Sequence, residues 1–378
     1  MCGRKLGRAP DRAATWESQE IRAAVSPPSS EDPTPVEGSL GLPWDDDEEE
    51  TDTERVAVAA ARERLKGKSS QMKKLSGRGA WIAFEDAVTP QGRAADIAET
   101  VRRAKQLGAA WVALRLGNAG VRDGGSHING KPAMDLVDAL RSENIDLAGW
   151  LFEYQKWPEA SRAIWRDWSP LLSAAIINAE FEYLDATEEM AKRLVGDLRG
   201  MGYEEVSHAP PDYAGGRGDG AMKYLDELCD RILPQVYSYE HDDSGAPYHL
   251  ARIKALYEKR GLLAKVSPVG CTYRPFVRGG RKLSPIGDEA VASDVVKFLD
   301  DAWTLTTEIP SLYSIDAPSF AGEGRAAVFS AVEAYDGAHP YRGRVDGPTD
   351  TDPTPPALRG EPEEQASVAT VLDLVSKP

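Results

Sequence analysis

Eight short strand-like runs, seven of them apolar, alternate with eight longer helical segments along the middle of this chain, and few folds accept that order. Residues 80–84, 111–116, 147–152, 174–181, 205–208, 232–237, 262–269 and 312–315 read as strands. Residues 94–107, 134–143, 159–168, 187–201, 222–229, 249–259, 288–306 and 325–335 read as the helices between and after them. The strand runs are rich in Val, Ile, Leu and Ala, as burial on both faces demands. Eight βα units over about 250 residues are the usual length of a closed parallel barrel. The fold class expected is therefore α/β, a (β/α)8 TIM barrel spanning 76–338. An open doubly wound sheet would carry a glycine-rich phosphate loop after its first strand. Here that place holds Glu85, Asp86, Ala87 and Val88, and the later Gly124–Gly125 pair makes a poor cradle.

The flanks read differently. Residues 1–75 carry Pro27, Pro28, Pro33 and Pro35 and an acidic block from Asp45 to Glu50. Such a block repels itself and cannot pack, so a disordered acidic tail is predicted. An Ala-rich stretch from Thr51 to Lys74 suits a lead helix, with Thr51 or Thr53 as cap. Residues 339–378 are predicted to be a second disordered tail. It holds a short helix whose stripe is Val368, Val371, Leu372 and Val375. Residues 76–338 should fold without either tail.

Charge removes several function classes. The net charge is −16, so phosphate backbones and anionic membranes are poor partners. The three cysteines, Cys2, Cys229 and Cys271, form neither a disulfide framework nor a CxxC pair. No run of eighteen apolar residues occurs. No apolar segment follows Arg4, Lys5 and Arg8, so the chain is expected to be cytoplasmic as synthesised, with release or particle association left open.

In a barrel of this kind the chemistry sits where strands end. The fourth strand ends Asn178-Ala179-Glu180-Phe181-Glu182-Tyr183. Side chains alternate along a strand, so Asn178, Glu180 and Glu182 share one face. Two neighbouring carboxylates push their pKa values apart, one staying protonated and the other ionised, which is what glycosidic bond hydrolysis uses. Glu180 is the candidate acid/base, and Glu182 or Asp316 the second carboxylate. The bland alternative is a structural ion pair with Arg115 on the second strand or Lys265 on the seventh. Aromatic residues gather at the same end. Trp150, Phe152 and Tyr154 alternate on the third strand, Tyr183 follows the fourth, and Tyr237 and Tyr239 end the sixth. Sugar rings stack on such side chains. Trp150, Tyr154, Asn178, Gln235, Tyr237 and Arg115 are the substrate-facing candidates. Trp165 and Trp168 have helical spacing and belong in the core.

Other strand-end residues are Glu85, Asp86, Glu153 and His208. His208 has no HxH or HExxH companion and reads as a hydrogen-bonded histidine rather than a metal ligand. No GxSxG elbow is present, and Cys271 has no evident base. No cofactor or metal is called for. The basic loop 274–282, with Arg274, Arg278, Arg281 and Lys282, is expected to bind anions or cover the cleft.

Three stretches carry a family resemblance. Val112-Ala113-Leu114-Arg115-Leu116-Gly117, Asp146-Leu147-Ala148-Gly149-Trp150 and Ile177-Asn178-Ala179-Glu180-Phe181-Glu182 resemble the lysozyme-type barrels of glycoside hydrolase family 25. They are also similar to the chitinase-type barrels of family 18. The resemblance spans about residues 79–320. It implies a DxE-type acidic motif ending the fourth strand, here Asn178-x-Glu180-x-Glu182. It also matches Gln235 with Tyr237 to a late glutamine–aromatic pair. The first strand lacks the early aspartate unless Asp86 replaces it, and Asn178 stands where an acid belongs. The implied activity is hydrolysis of a cell-wall or chitin-like polysaccharide. The other expectation is a catalytically silent barrel. It would bind carbohydrate or build a larger assembly such as a phage particle or injection device, with the tails docking on protein partners.

Overall fold

A computed structural model of the chain describes residues 74–82, 93–118, 131–153, 159–179, 186–211, 222–236, 246–272, 277–278, 281–282, 288–305, 309–313, 315 and 325–339, with Val56, Ala59, Ala60 and Glu63. Those last four are helical, inside the stretch expected to form a lead helix, and Val56, Ala59, Ala60 and Glu63 are exposed. The remainder of both expected tails lies outside the described residues.

The strands are β1 (Gly79–Ile82), β2 (Trp111–Asn118), β3 (Asp146–Phe152), β4 (Ala174–Asn178) and β5 (Glu205–His208). β6 comes in two pieces, Arg231–Ile232 and Gln235–Val236, before β7 (Val269–Cys271) and β8 (Ser311–Tyr313). The helices are α1 (Arg93–Gln106), α2 (Lys131–Ser142), α3 (Glu159–Trp168), α4 (Glu188–Gly200), α5 (Met222–Leu228), α6 (Ala246–Arg260), α7 (Asp288–Leu305) and α8 (Arg325–Ala338). Each strand precedes its helix, and all barrel pairings are parallel.

Closure runs through β6. Its first piece pairs with β5 and its second with β7. Between them, Leu233 N donates to the His208 carbonyl and Gln235 N to that of Pro210. On the other side Ser267 N donates to Ile232 O and Val269 N to Pro234 O. Pro234 has no N–H, which interrupts the strand without opening the barrel. At the far edge β8 pairs with β1, Ala80 against Leu312 and Trp81 against Tyr313. The (β/α)8 barrel expected from the alternation is the fold observed.

Alternation within each strand sends one set of side chains inward and the other toward the helices. The inner set is Trp81, Trp111, Ala113, Ala148, Trp150, Ala174, Ile176, Ala209, Leu233 and Val269. Small residues opposite three indoles let the rings fill the interior. Gly79 shows how tight this is: a Cβ there would stand 2.1 Å from the Trp111 ring. The outer set, including Ile82, Val112, Leu114, Leu151, Ile177 and Val206, packs on the helices.

The bottom of the barrel is stoppered. Leu75 belongs to the inner cluster and is 2% exposed, although it falls within the stretch read as tail. Its N–H donates to Glu205 Oε2 at 3.0 Å, and Arg231 Nη2 donates to its carbonyl at 2.5 Å. Trp111 Nε1 donates to the Gly77 carbonyl. Arg78, fully buried, makes a two-pronged pair with Asp336 of α8 at 2.5 and 2.7 Å and also donates to Leu107 O.

Two expected elements differ. The apolar run at 262–269 forms a single 3-10 turn, Leu263–Lys265, and the strand starts only at Val269. Lys265 therefore does not face the interior. Its Nζ donates to the carbonyls of Glu227 and Cys229. β4 is described as strand to Asn178, short of the expected 181.

Candidate functional site

The C-terminal mouth of the barrel is where the sequence places its candidate residues, and four of them are described there. Asn178 is the last residue of β4 and is buried. Gln235 opens the second piece of β6. Its Nε2 donates to Asn178 Oδ1 at 2.8 Å and to the Ala209 carbonyl at 3.2 Å. The amide pair thus links strands that are not neighbours in the ladder, across the inner face.

Trp150 lies lower, on β3. It is 6% exposed, and its Nε1 donates to the Ile82 carbonyl at 3.0 Å. Trp81 and Tyr313 flank it, with ring centroids 6.0 and 6.3 Å away. Trp81 is fixed in turn, its Nε1 donating to Ser311 Oγ at 2.9 Å. Trp150 is therefore held in place beneath the mouth by its neighbours. Arg115, inward on β2 and partly exposed, stands over the Trp150 ring with Cζ 5.5 Å from its centroid. Trp81, Trp111 and Tyr313 escaped the sequence reading of the site. Their strand parity matched that of Trp150 and was the available signal.

Glu180, Glu182, Asp316, Tyr154 and Tyr237 lie outside the described residues, as do Glu85, Asp86, Tyr183 and Tyr239. Within the expected basic loop, Val277–Arg278 pairs antiparallel with Arg281–Lys282.

Two strand-end residues sit on the helix side. Glu153 follows β3, is fully buried, and accepts a hydrogen bond from Trp165 Nε1 at 2.8 Å. Burial pushes its carboxyl up to about 8, while the Trp165 N–H and the adjacent Ser161 hydroxyl pull it more weakly the other way. Its backbone N–H donates to the Asn178 carbonyl at 2.8 Å, which ties it to the mouth. His208 is fully buried behind β5, with Nδ1 2.8 Å from Asp226 Oδ1. Asp226 Oδ2 receives Arg260 Nη1 at 2.7 Å and the Tyr257 hydroxyl at 3.3 Å. This is a hydrogen-bonded histidine, as its sequence context predicts. Trp165 and Trp168 are core residues of α3, also as predicted. Among the described residues no group of three His, Cys, Asp or Glu side chains could hold a metal, and no helix is long and apolar enough to cross a membrane.

No protein-family profile matches the sequence, and no curated protein matches it. Solved structures similar to this chain include glycoside hydrolases. The glycoside hydrolase domain of PgaB (BpsB) from Bordetella bronchiseptica is 11% identical over 67% of this chain and 98% of that one, with a TM-score of 0.46. A GH113 β-1,4-mannanase is 11% identical over 69% of this chain and 97% of that one, at 0.49. The GH18 chitinase ChiB of Flavobacterium johnsoniae is 10% identical over 69% of this chain and 95% of that one, at 0.45. Superpositions at this level carry nothing about activity, which has to be argued from this chain's own residues.

Proposed function

We propose that the barrel is a glycoside hydrolase-like enzyme that cleaves a polysaccharide with two carboxylates. The observation that supports this most is the Gln235–Asn178 hydrogen bond. It brings two of the expected substrate-orienting amides together at the barrel mouth. The sequence puts Glu180 and Glu182 two and four residues beyond Asn178. In this reading Glu180 transfers the proton to the leaving oxygen and later withdraws one from water. Glu182 or Asp316 stabilises or attacks the sugar carbon. Asn178 and Gln235 orient hydroxyl groups of the ring, and Tyr154 and Tyr237 flank it.

The test is Glu180→Gln, scored by reducing-end release from a panel of cell-wall and chitin-like polymers and by thermal unfolding. The amide keeps shape but has no proton to transfer, so turnover should fall by about 10²–10⁴-fold with the fold intact. Wild-type protein that releases nothing from any polymer, with a variant that melts far lower, would sink the enzyme and leave Glu180 as half of a structural ion pair.

A further inference from the structure

Glu153 is a buried acid that the two-carboxylate reading leaves unused. Just beyond the Phe152–Asn178 register pair, its backbone N–H donates to the Asn178 carbonyl at 2.8 Å. Asn178 in turn receives Gln235 Nε2 through its side chain. One residue therefore ties a buried carboxyl to the amide pair at the mouth. That carboxyl accepts Trp165 Nε1 at 2.8 Å on Oε1. Its Oε2 is buried with no hydrogen-bond partner among the described residues, and so is Ser161 Oγ. An ionised carboxylate has about four acceptor sites to satisfy, and a single donor is a poor substitute for water. On the helices packed against β2 and β3 the described charges are Asp135, Asp138 and Arg141 of α2 and Glu159, Arg162, Arg166 and Asp167 of α3. Glu159 pairs with Arg162 and Arg166, and Arg162 also with Asp197 of α4. Arg115 of β2 lies on the inner face over Trp150. None of these charges is among the causes of the raised titration, which burial leads.

We infer that Glu153 is a positioning residue for the mouth: as a neutral acid it holds Asn178 in place for Gln235, and on ionising it lets go. The inference rests on the reading of the mouth as a glycan site and adds its regulation. Magnitudes favour release. The buried carboxyl titrates at about 8, against 4.5 for an ordinary glutamate. Its ionised form therefore prefers water by about 10³-fold. A hydrogen bond is worth about 2- to 10-fold net, so giving up those to Trp165 and Asn178 does not offset that preference. Turning the side chain out from between β3 and α3 also turns the backbone that bonds Asn178. The sign follows from a raised titration in the folded chain. The hold is complete below 4.5, weakens about tenfold per pH unit above it, and is fully lost above about 8.

The experiment is a double-mutant cycle of Asn178→Ala and Gln235→Ala in the full chain, run by urea unfolding at pH 5.5 and pH 9. It is done once on the wild-type background and once on Glu153→Gln. At pH 5.5 both backgrounds should show a coupling of about 2- to 10-fold in the unfolding constant. At pH 9 the wild-type coupling should vanish and that of Glu153→Gln should remain. A Glu153 that serves only stability shifts all four corners of the cycle alike, and its coupling stays the same at both pH values. That result overturns the inference, as does a coupling lost at pH 9 in Glu153→Gln, or none in either background at pH 5.5. Should an alanine variant not fold, the Gln235 side-chain amide resonance decides. It should titrate near pH 8 in wild type and not in Glu153→Gln, and a resonance that does not move in wild type overturns the inference. Reducing-end release from the polymer panel should show the same alkaline loss, relieved by Glu153→Gln. Release from no polymer, with the coupling as expected, removes the hydrolase reading and leaves this one standing. Release with a pH-independent coupling does the reverse.

Discussion

Gln235 reaches across the barrel mouth to Asn178, Nε2 to Oδ1 at 2.8 Å, and so joins β6 to β4 over the head of β5. Neither residue is charged, and Gln235 Nε2 donates as well to the Ala209 carbonyl at 3.2 Å.

That bond should be visible as coupling. Asn178→Ala and Gln235→Ala, alone and together, should give an interaction free energy of about 0.5–1.5 kcal/mol in chemical denaturation. Strict additivity would mean that the two amides do not meet in solution.

Glu153 makes a pH prediction. Its buried carboxyl titrates at about 8, against 4.5 for an ordinary glutamate. Between those values the folded chain holds a proton that the unfolded chain has lost. Stability therefore falls as pH rises through that window, with no penalty below it and the full penalty above. Glu153→Gln keeps an oxygen acceptor for Trp165 and removes the titration. The variant should be more stable than wild type by about 3 kcal/mol at pH 7 and equal to it near pH 4. A pH-independent difference in melting temperature would show that the carboxyl is not protonated in the folded state.

Arg78 and Asp336 close the barrel's lower rim. Arg78 is 1% exposed and Asp336 24%. Asp336→Ala strands a buried guanidinium and should cost about 3–5 kcal/mol. Arg78→Met combined with Asp336→Ala should recover a large part of that loss, as measured by urea midpoints. A double variant no better than the single one would place the stabilisation in the Leu107 contact instead.

The Leu75 stopper sets where a minimal barrel begins. A chain starting at residue 74 should melt close to the full chain. One starting at residue 76 loses a buried leucine and the peptide groups that satisfy Glu205 and Arg231. It should be destabilised by about 2–4 kcal/mol. Coincident melting curves for the two would show that the stopper contributes no stability.

Much of this was legible beforehand, because periodicity reports burial. α3 follows its expected bounds because Ser161, Ile164, Trp165 and Trp168 repeat at helical spacing. β5 does so because a short stretch held between two helices has little freedom. The seventh strand was harder. Leu262 to Val266 is apolar enough for a strand, and nothing local reveals that it turns once as a 3-10 helix before β7. Ring burial was also hidden: Trp150 and a surface tryptophan look alike until Trp81 and Tyr313 are brought around it from β1 and β8. The amides Asn178 and Gln235 could be named singly from their strand ends. Their meeting depends on β6 breaking at Pro234, a tertiary event.

The break at Pro234 has company. Pro210 and Pro211 extend β5, Pro268 precedes β7, and Pro310 precedes β8. The carbonyls of Pro210, Pro234 and Pro268 accept ladder bonds from Gln235, Val269 and Ser311, but none of the three nitrogens can donate one back. By contrast β2, β3 and β4 contain no proline and pair along most of their length. The wall is thus unequal around its circumference, a firm jaw of β1 to β4 facing a yielding one of β5 to β8. Amide protons should exchange slowest in the first and soonest in the second. Asn178 is anchored in the firm jaw and Gln235 in the yielding one. Opening of the weak seam would widen the gap between the two amides, and a ligand that bridges them would tighten the whole ring.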